Sequence, residues 1–154
     1  MKDYIDCYHG EKVGVGLILA SKIYHKAAEK MRGEAFTVKE SMPVEEELIR
    51  VNFTKLGMYE SIIEENTPNL LEEVDSQKLL ERKDEIAAVI DEIPSAGELT
   101  DMLKEVNGVR TLENLSFDES FQEKTARLSP YVRARITFMR LLKFYSFYEE
   151  VING

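Results

Sequence analysis

Residues 9–31 read HGEKVGVGLILASKIYHKAAEKM, a segment whose apolar side chains recur in steps of three and four. This spacing places them along one face of an α-helix. They are Val13, Leu17, Ala20, Tyr24, Ala27 and Met31. Further apolar residues fill much of the remaining circumference between residues 13 and 20. We therefore predict a helix from about Gly10 to Met31, buried nearly all round in its first half and ending at Gly33.

Helical spacing continues through the rest of the chain, and β-branched residues do not cluster into strand-like runs. Pro43, with three glutamates after it, predicts a helix start, and Ser95 with Glu98 forms a capping box. The predicted helices span about residues 10–31, 43–56, 58–65, 76–92, 95–108, 116–128 and 130–152. Without an internal repeat or a linker, residues 1–154 are predicted to form one all-α domain, an irregular bundle of about seven helices.

Composition indicates a globular chain and excludes several functional classes. Of the 154 residues, 44% are hydrophobic, and only 4 are proline and 8 glycine, which is unlike disordered or fibrous sequences. Twenty basic and 29 acidic side chains give a formal charge of -9. Because this charge repels phosphate groups, we expect neither nucleic acid nor an anionic membrane surface as a partner.

The cysteine and hydropathy patterns predict a reducing, cytoplasmic setting. Cys7 is the single cysteine, so neither an internal disulfide nor a Cys/His zinc cluster is expected. The longest strongly apolar run, residues 13–20, is far shorter than the roughly 20 residues of a membrane-spanning helix. Residues 1–8 also lack the pattern of a secretory signal.

His9 is the main candidate for chemistry, because it lies at the start of the predicted first helix. The positive end of a helix dipole favours the neutral imidazole, the form that binds a metal ion. The alternative is a histidine that only caps or packs at the helix entrance, since one histidine specifies no coordination sphere. Asp6 lies three residues earlier and is a weaker candidate for the same metal.

His25 is not predicted to join His9. Sixteen residues of continuous helix place it about 24 Å away and on nearly the opposite face. We expect it on the surface, paired with Glu29. Gly14 and Gly16 follow no strand and precede no phosphate-binding lysine, so they indicate close packing of a backbone or a ligand rather than a nucleotide loop.

Three arginines form the one basic cluster of the sequence. Arg133 and Arg140 share a face of the predicted last helix, and Arg135 lies off that face. In so acidic a chain, we expect these arginines to form salt bridges with glutamates.

Residues 8–16, YHGEKVGVG, resemble the segment of the iron-containing alcohol dehydrogenase superfamily that supplies its last metal-binding histidine. Within the superfamily, the segment is most similar to the glycerol-1-phosphate dehydrogenase branch, where His-Gly-Glu precedes a basic or amide residue and Val-Gly. Residues 129–137, SPYVRARIT, resemble that branch's arginine-x-arginine motif ahead of an apolar helix. Residues 93–108 also follow the family's order, so the resemblance covers about residues 8 to 145.

The resemblance implies that this chain is the C-terminal helical domain of a larger enzyme. An N-terminal nucleotide-binding α/β domain would precede Met1, with NAD(P), a divalent metal and the substrate in the cleft between the domains. The family's metal ligands are an aspartate and two histidines, and His9 matches the last of these. The metal would be zinc, nickel or iron. Its Lewis acidity would assist hydride transfer between dihydroxyacetone phosphate and glycerol 1-phosphate.

By itself the chain is expected to be inactive, because one ligand cannot replace three and the cofactor domain is missing. Glu11 follows the motif, but we assign it no catalytic role, since a carboxylate there complements the helix dipole. We expect a homo-oligomer, because the loss of a partner domain exposes apolar surface. The main alternative is a stand-alone acidic helical module that binds a protein partner. A dehydroquinate synthase-like enzyme, with the same general architecture, is a third interpretation.

Overall fold

The computed structural model describes residues 8–33, 35–118 and 120–153. Within these ranges the regular structure is helical, which confirms the predicted all-α class and its irregular bundle. The α-helices are α1 His9–Gly33, α2 Glu46–Phe53, α3 Tyr59–Glu65, α4 Ser76–Glu81, α5 Lys83–Asp91, α6 Ala96–Glu105, α7 Ser120–Leu128, α8 Phe138–Leu141 and α9 Tyr148–Ile152. Short 3-10 helices span Thr54–Leu56, Glu113–Leu115, Ser129–Tyr131 and Leu142–Phe144. None of the described helices has the length and apolarity needed to cross a membrane.

Helix α1 is the axis of the bundle, and the prediction of its extent is confirmed. It contacts α5, α6, α8 and α9. In its second half, Ile23, Ala27 and Met31 are buried in the main core together with Phe144 and Tyr145 from the C-terminal segment. Burying such side chains is worth about 1.5–3 kcal/mol for each large aliphatic or aromatic group. The second half of α1 is therefore fixed by the main core.

The first half of α1 is not buried nearly all round, so that prediction is wrong. Gly14 and Val15 are buried, but the side chains of Val13 and Leu17 are 45% and 54% exposed. Apolar residues cover most of the circumference here, but the described elements pack against one side only.

Local capping chemistry sets several helix ends as predicted. The Ser95 hydroxyl accepts the Glu98 backbone N–H at 3.2 Å, and the Glu98 carboxylate accepts the Ser95 N–H at 2.8 Å. This capping box opens α6. Gly57, expected to interrupt the chain, has a left-handed φ of 66° and ends the 3-10 helix after α2.

Three predicted boundaries differ from the structure. Helix α2 begins at Glu46 instead of Pro43. The helix predicted over residues 76–92 is two helices, α4 and α5, because Arg82 leaves helical geometry with φ -99° and ψ 19°. The helix predicted to begin at residue 116 begins at Ser120, because Ser116 has a left-handed φ of 60° and ends a 3-10 helix. The Asp118 carboxylate instead accepts the Ser120 N–H at 2.9 Å, and Glu119 lies outside the described residues.

The prediction of one long C-terminal helix over residues 130–152 is wrong. The segment contains a 3-10 turn, bends and irregular chain over residues 132–137, α8, a second 3-10 turn and α9. Its backbone instead bonds to the chain after α1: Lys39 N–H donates to Phe144 O at 2.8 Å, and Ser146 N–H donates to Thr37 O at 2.9 Å. An isolated antiparallel bridge joins Val38 to Tyr145. Pairing at this point interrupts the helical ladder between α8 and α9.

A smaller core lies on the other side of the C-terminal segment. It consists of Ile49 and Phe53 from α2, Ile62 from α3, Leu128 from α7 and Tyr131 from the following 3-10 turn. Between the two cores, residues 130–145 contribute side chains to both. This position explains why the segment carries so many aromatic residues.

The glycines of α1 give a test of its one-sided packing. A Cβ at Gly16 meets nothing within 4 Å, whereas a Cβ at Gly14 lies 3.2 Å from Leu103 Cδ1. Gly16→Ala should raise the free energy of unfolding by about 0.5–1 kcal/mol through helix propensity. Gly14→Ala should raise the free energy of unfolding by less, because the Leu103 side chain must shift to make room for the added Cβ. Urea unfolding measures both changes, and equal gains would contradict this packing.

Candidate functional site

His9 is the first residue of α1 and is exposed. The preceding turn is closed by Glu11, whose carboxylate accepts the Tyr8 N–H at 2.7 Å. The Tyr8 carbonyl in turn accepts N–H groups from Glu11 at 3.1 Å and from Lys12 at 3.3 Å. Glu11 therefore stabilises the helix start. The His9 side chain is left accessible at the positive end of the helix.

His9 shares one face of α1 with apolar and small residues. At about 100° per residue, Val13, Gly16 and Leu17 project within one sector together with His9. All four are exposed. The opposite sector carries Gly14, which lies against Leu103 of α6. We call His9, Val13, Gly16 and Leu17 the open face of α1.

The described residues do not place a complete set of metal ligands around His9. Among them, no group of three or more histidine, cysteine, aspartate or glutamate side chains is arranged to hold a metal ion. Asp6 lies outside the described residues. His9 as a metal ligand stays a prediction, because the resemblance places its partner ligands in another domain.

His25 was predicted to lie on the surface and pair with Glu29, and the structure places it elsewhere. It is half-buried, and its Nε2 lies 3.0 Å from the Ile93 carbonyl at the end of α5. Because a carbonyl only accepts hydrogen bonds, Nε2 carries the hydrogen. The neighbouring Ser21 hydroxyl donates to Pro94 O at 2.7 Å. The two side chains anchor the loop between α5 and α6 to α1.

The arginine cluster does not act as one unit. Arg133 lies 3.6 Å from a Glu65 carboxylate oxygen, which agrees with the predicted ion pairing. Arg140 is 2% exposed and donates to neutral groups instead: its Nε reaches Pro130 O at 3.0 Å, and its Nη2 reaches Asn66 Oδ1 at 2.7 Å. Arg140 is thus a buried cation held by backbone and amide oxygens.

A second buried cation, Lys143, forms an ionic cluster that the sequence analysis missed. Lys143 is 2% exposed, and its ammonium donates to Glu45 Oε2, which also accepts the Tyr131 hydroxyl at 2.7 Å. The ammonium lies 4.7 Å from the Tyr131 ring centroid and 5.5 Å from that of Tyr148. This environment offers a carboxylate and two π faces to one buried positive charge.

The pKa values of the cluster follow from its burial and its hydrogen bonds. Burial opposes ionisation of Glu45, but hydrogen bonds from Lys143 and Tyr131 outweigh it and hold the pKa of Glu45 below its usual value. Burial lowers the pKa of Lys143 and raises the pKa of Tyr131. Burial also raises the pKa of Tyr148, whose hydroxyl has no hydrogen-bond partner among the described residues.

The cluster lies apart from three surface grooves of the described chain. These grooves have volumes of about 640, 410 and 330 Å³, and their lining residues do not include Lys143, Glu45 or Arg140. A sequence signal for the two cations existed: in FMRLLKFY, residues 138–145, single basic residues interrupt an apolar run. Their partners, Asn66 and Glu45, lie too far away in the sequence to be inferred from it.

Comparison of the chain with protein-family models, curated proteins and solved structures gives no match. The geometry of His9 and of the open face therefore carries the functional argument together with the sequence motif.

Removal of the Arg140 guanidinium tests the contribution of this buried cation to stability. Arg140→Met leaves Asn66 and the Pro130 carbonyl without their donor, so we expect a loss of about 3 kcal/mol in the free energy of unfolding. The matched control is Arg135→Met, an exposed arginine of the same segment, which should change it by less than about 0.5 kcal/mol. Similar losses in both variants by urea unfolding would refute the structural role of Arg140.

The lowered pKa of Glu45 predicts a pH dependence of stability. Its folded-state pKa lies below the unfolded value of about 4.3, so the ionised carboxylate adds stability above that value. This contribution is lost as the pH falls through the folded-state pKa. In urea unfolding from about pH 5 downward, Glu45→Gln should flatten the decline in stability. The exposed-residue control Glu40→Gln should keep the wild-type slope.

Proposed function

We propose that this chain is the helical domain of a metal- and NAD(P)-dependent dehydrogenase that interconverts dihydroxyacetone phosphate and glycerol 1-phosphate. The observation that carries the proposal is the position of His9 on the open face of α1, beside exposed apolar side chains. This is the arrangement that a metal ligand at a domain cleft requires. It adds to the motif in residues 8–16, on which the resemblance rests.

The open face has properties suited to a nucleotide-binding α/β domain as its partner. Val13 and Leu17 supply apolar surface, and exposed apolar patches mark interaction sites. Gly16 has free space where a Cβ would stand, so another backbone can approach α1 closely beside His9. The partner domain would supply an aspartate, another histidine and the cofactor site.

In this proposal, the residues of this chain bind and orient and do not transfer protons. The capped start of α1 holds the backbone of His9 at the end of the helix. Imidazole suits zinc, nickel and iron, so the donor type fits the expected metals. When bound, the metal supplies Lewis acidity to the substrate oxygen during hydride transfer. Val13 and Leu17 exclude water from the cleft.

The second candidate function is a stand-alone acidic module whose open face binds a protein or a second copy of the chain. The observation that favours it is the exposure of Val13, Gly16 and Leu17 on one face of α1, which a protein partner could cover without any metal. In that case His9 would contribute surface contact only. The open face would then bury Val13 and Leu17 against the partner.

The proposal is tested by complementation. The chain is mixed with the separately expressed nucleotide-binding domain of a glycerol-1-phosphate dehydrogenase, Zn²⁺ or Ni²⁺, NADH and dihydroxyacetone phosphate. NADH absorbance should stay constant with the chain alone and fall with the mixture. His9→Ala should abolish turnover because it removes the ligand, and His25→Gln should retain it because glutamine can still donate to Ile93 O.

A packing variant separates the two candidates. Gly16→Leu places a bulky side chain on the open face without touching the described core, so the melting temperature should not fall. If the proposal holds, this variant weakens association with the nucleotide-binding domain in sedimentation velocity. A chain that dimerises through the open face, loses the dimer in Gly16→Leu and never supports NADH oxidation would favour the interaction module.

A further inference from the structure

An apolar groove lies between α4, α5 and α8, beside the middle of α1. Its volume is about 410 Å³. Its floor and walls are aliphatic and aromatic side chains from three elements. They include Leu79, Ile86, Val89, Ile90, Phe138 and Leu141. Val89 is 64% exposed, so the groove opens to solvent on the α5 side.

The rim of the groove carries two accessible cations. Lys78 and Arg82 both line it and are both exposed, and Glu85 is the third charged residue. Arg82 pairs with Glu85 at 2.6 Å, whereas Lys78 is only loosely paired, 3.7 Å from Asp75. The charged residues that line the groove sum to one positive charge, while Asp75, which pairs with Lys78, does not line it; the formal charge of the whole chain is -9. The charge of the rim is opposite in sign to that of the chain as a whole.

The helix break at Arg82 creates this rim. Residues 76–91 would form one continuous helix if Arg82 kept helical dihedral angles, but α4 and α5 separate there. Lys78 lies on α4 and Arg82 at the break, so both precede the apolar residues that α5 contributes to the groove. An apolar trough with a cationic end is complementary to a molecule with a hydrocarbon body and one anionic head.

We propose that this groove binds a small monoanionic amphiphile, with a medium-chain fatty acid carboxylate as the representative ligand. The hydrocarbon chain lies along Ile86, Val89 and Ile90, and the carboxylate meets Lys78 and Arg82. The groove volume falls within the range of about 300–1,000 Å³ typical of small-molecule sites. The Tyr24 hydroxyl at the α1 wall accepts the Met139 N–H at 3.3 Å and keeps its own hydrogen as a donor.

The groove is separate from the open face of α1. Tyr24, the α1 residue that lines it, is fifteen residues from His9, or about 22 Å along the helix axis. Binding in the groove does not require His9, a metal or a second domain. The two proposals can therefore fail independently.

Isothermal titration calorimetry of the full chain with decanoate, kept below its critical micelle concentration, tests the proposal. We expect saturable binding with a stoichiometry of one. Val89→Glu places a carboxylate in the groove and should weaken binding by about tenfold or more. Val51→Glu is the matched control: Val51 is 66% exposed on α2 and lies outside the groove, so its substitution should leave binding unchanged.

The cationic rim is tested with a second ligand. Lys78→Ala and Arg82→Ala should each weaken decanoate binding by about two- to fivefold, as expected for exposed ion pairs. Decanol, which has the same chain without the charge, should bind the wild type more weakly and respond little to either variant. Circular dichroism melting confirms that each variant is folded.

Three results would overturn the proposal. The first is the absence of saturable decanoate binding by the folded wild type. The second is decanoate binding that Val89→Glu and Val51→Glu affect equally, which indicates nonspecific adsorption. The third is a concentration-dependent dimer that Val89→Glu disrupts and decanoate does not compete with, since a second copy would then occupy the groove.

Discussion

The structure depends on the burial of the Arg140 guanidinium among oxygen acceptors. Arg140 donates to Asn66, which belongs to the C-terminal end of α3, and to the carbonyls of Pro130 and Arg133. Asn66 in turn donates to Tyr131 O at 2.8 Å and Ile62 O at 2.7 Å. A buried cation is tolerated only when its donors are satisfied. The chain before α8 therefore turns back around the guanidinium instead of continuing as a helix.

Lys143, one turn further along the chain, is a second buried cation whose hydrogen-bond donors must be satisfied. Its ammonium, buried over the Tyr131 and Tyr148 rings, ties the segment after α8 to Glu45 at the start of α2. Tyr131 donates to the same carboxylate and belongs to the smaller core. The two cations thus join the small core to the main core through polar contacts.

The parts of the fold that could be predicted are those fixed by neighbours in sequence. The capping box of Ser95 and Glu98, the turn at Gly57 and the extent of α1 depend on residues a few positions apart. The C-terminal segment was mispredicted because its conformation depends on partners 74 residues away for Arg140 and 98 residues away for Lys143. His9 was located correctly at the start of α1, whereas the Ile93 carbonyl that binds His25 is 68 positions away.

The two halves of α1 show why an apolar helix pattern does not by itself predict burial. The face that carries Val13 and Leu17 continues into Tyr24, Ala27 and Met31, with the same apolar chemistry and spacing. The second half is covered by α9 and the C-terminal segment, and the first half is covered only on the side of Leu103. The apolar pattern of the first half predicts burial that the described elements do not provide. This exposed face, from which His9 projects, is the observation on which the proposed function rests.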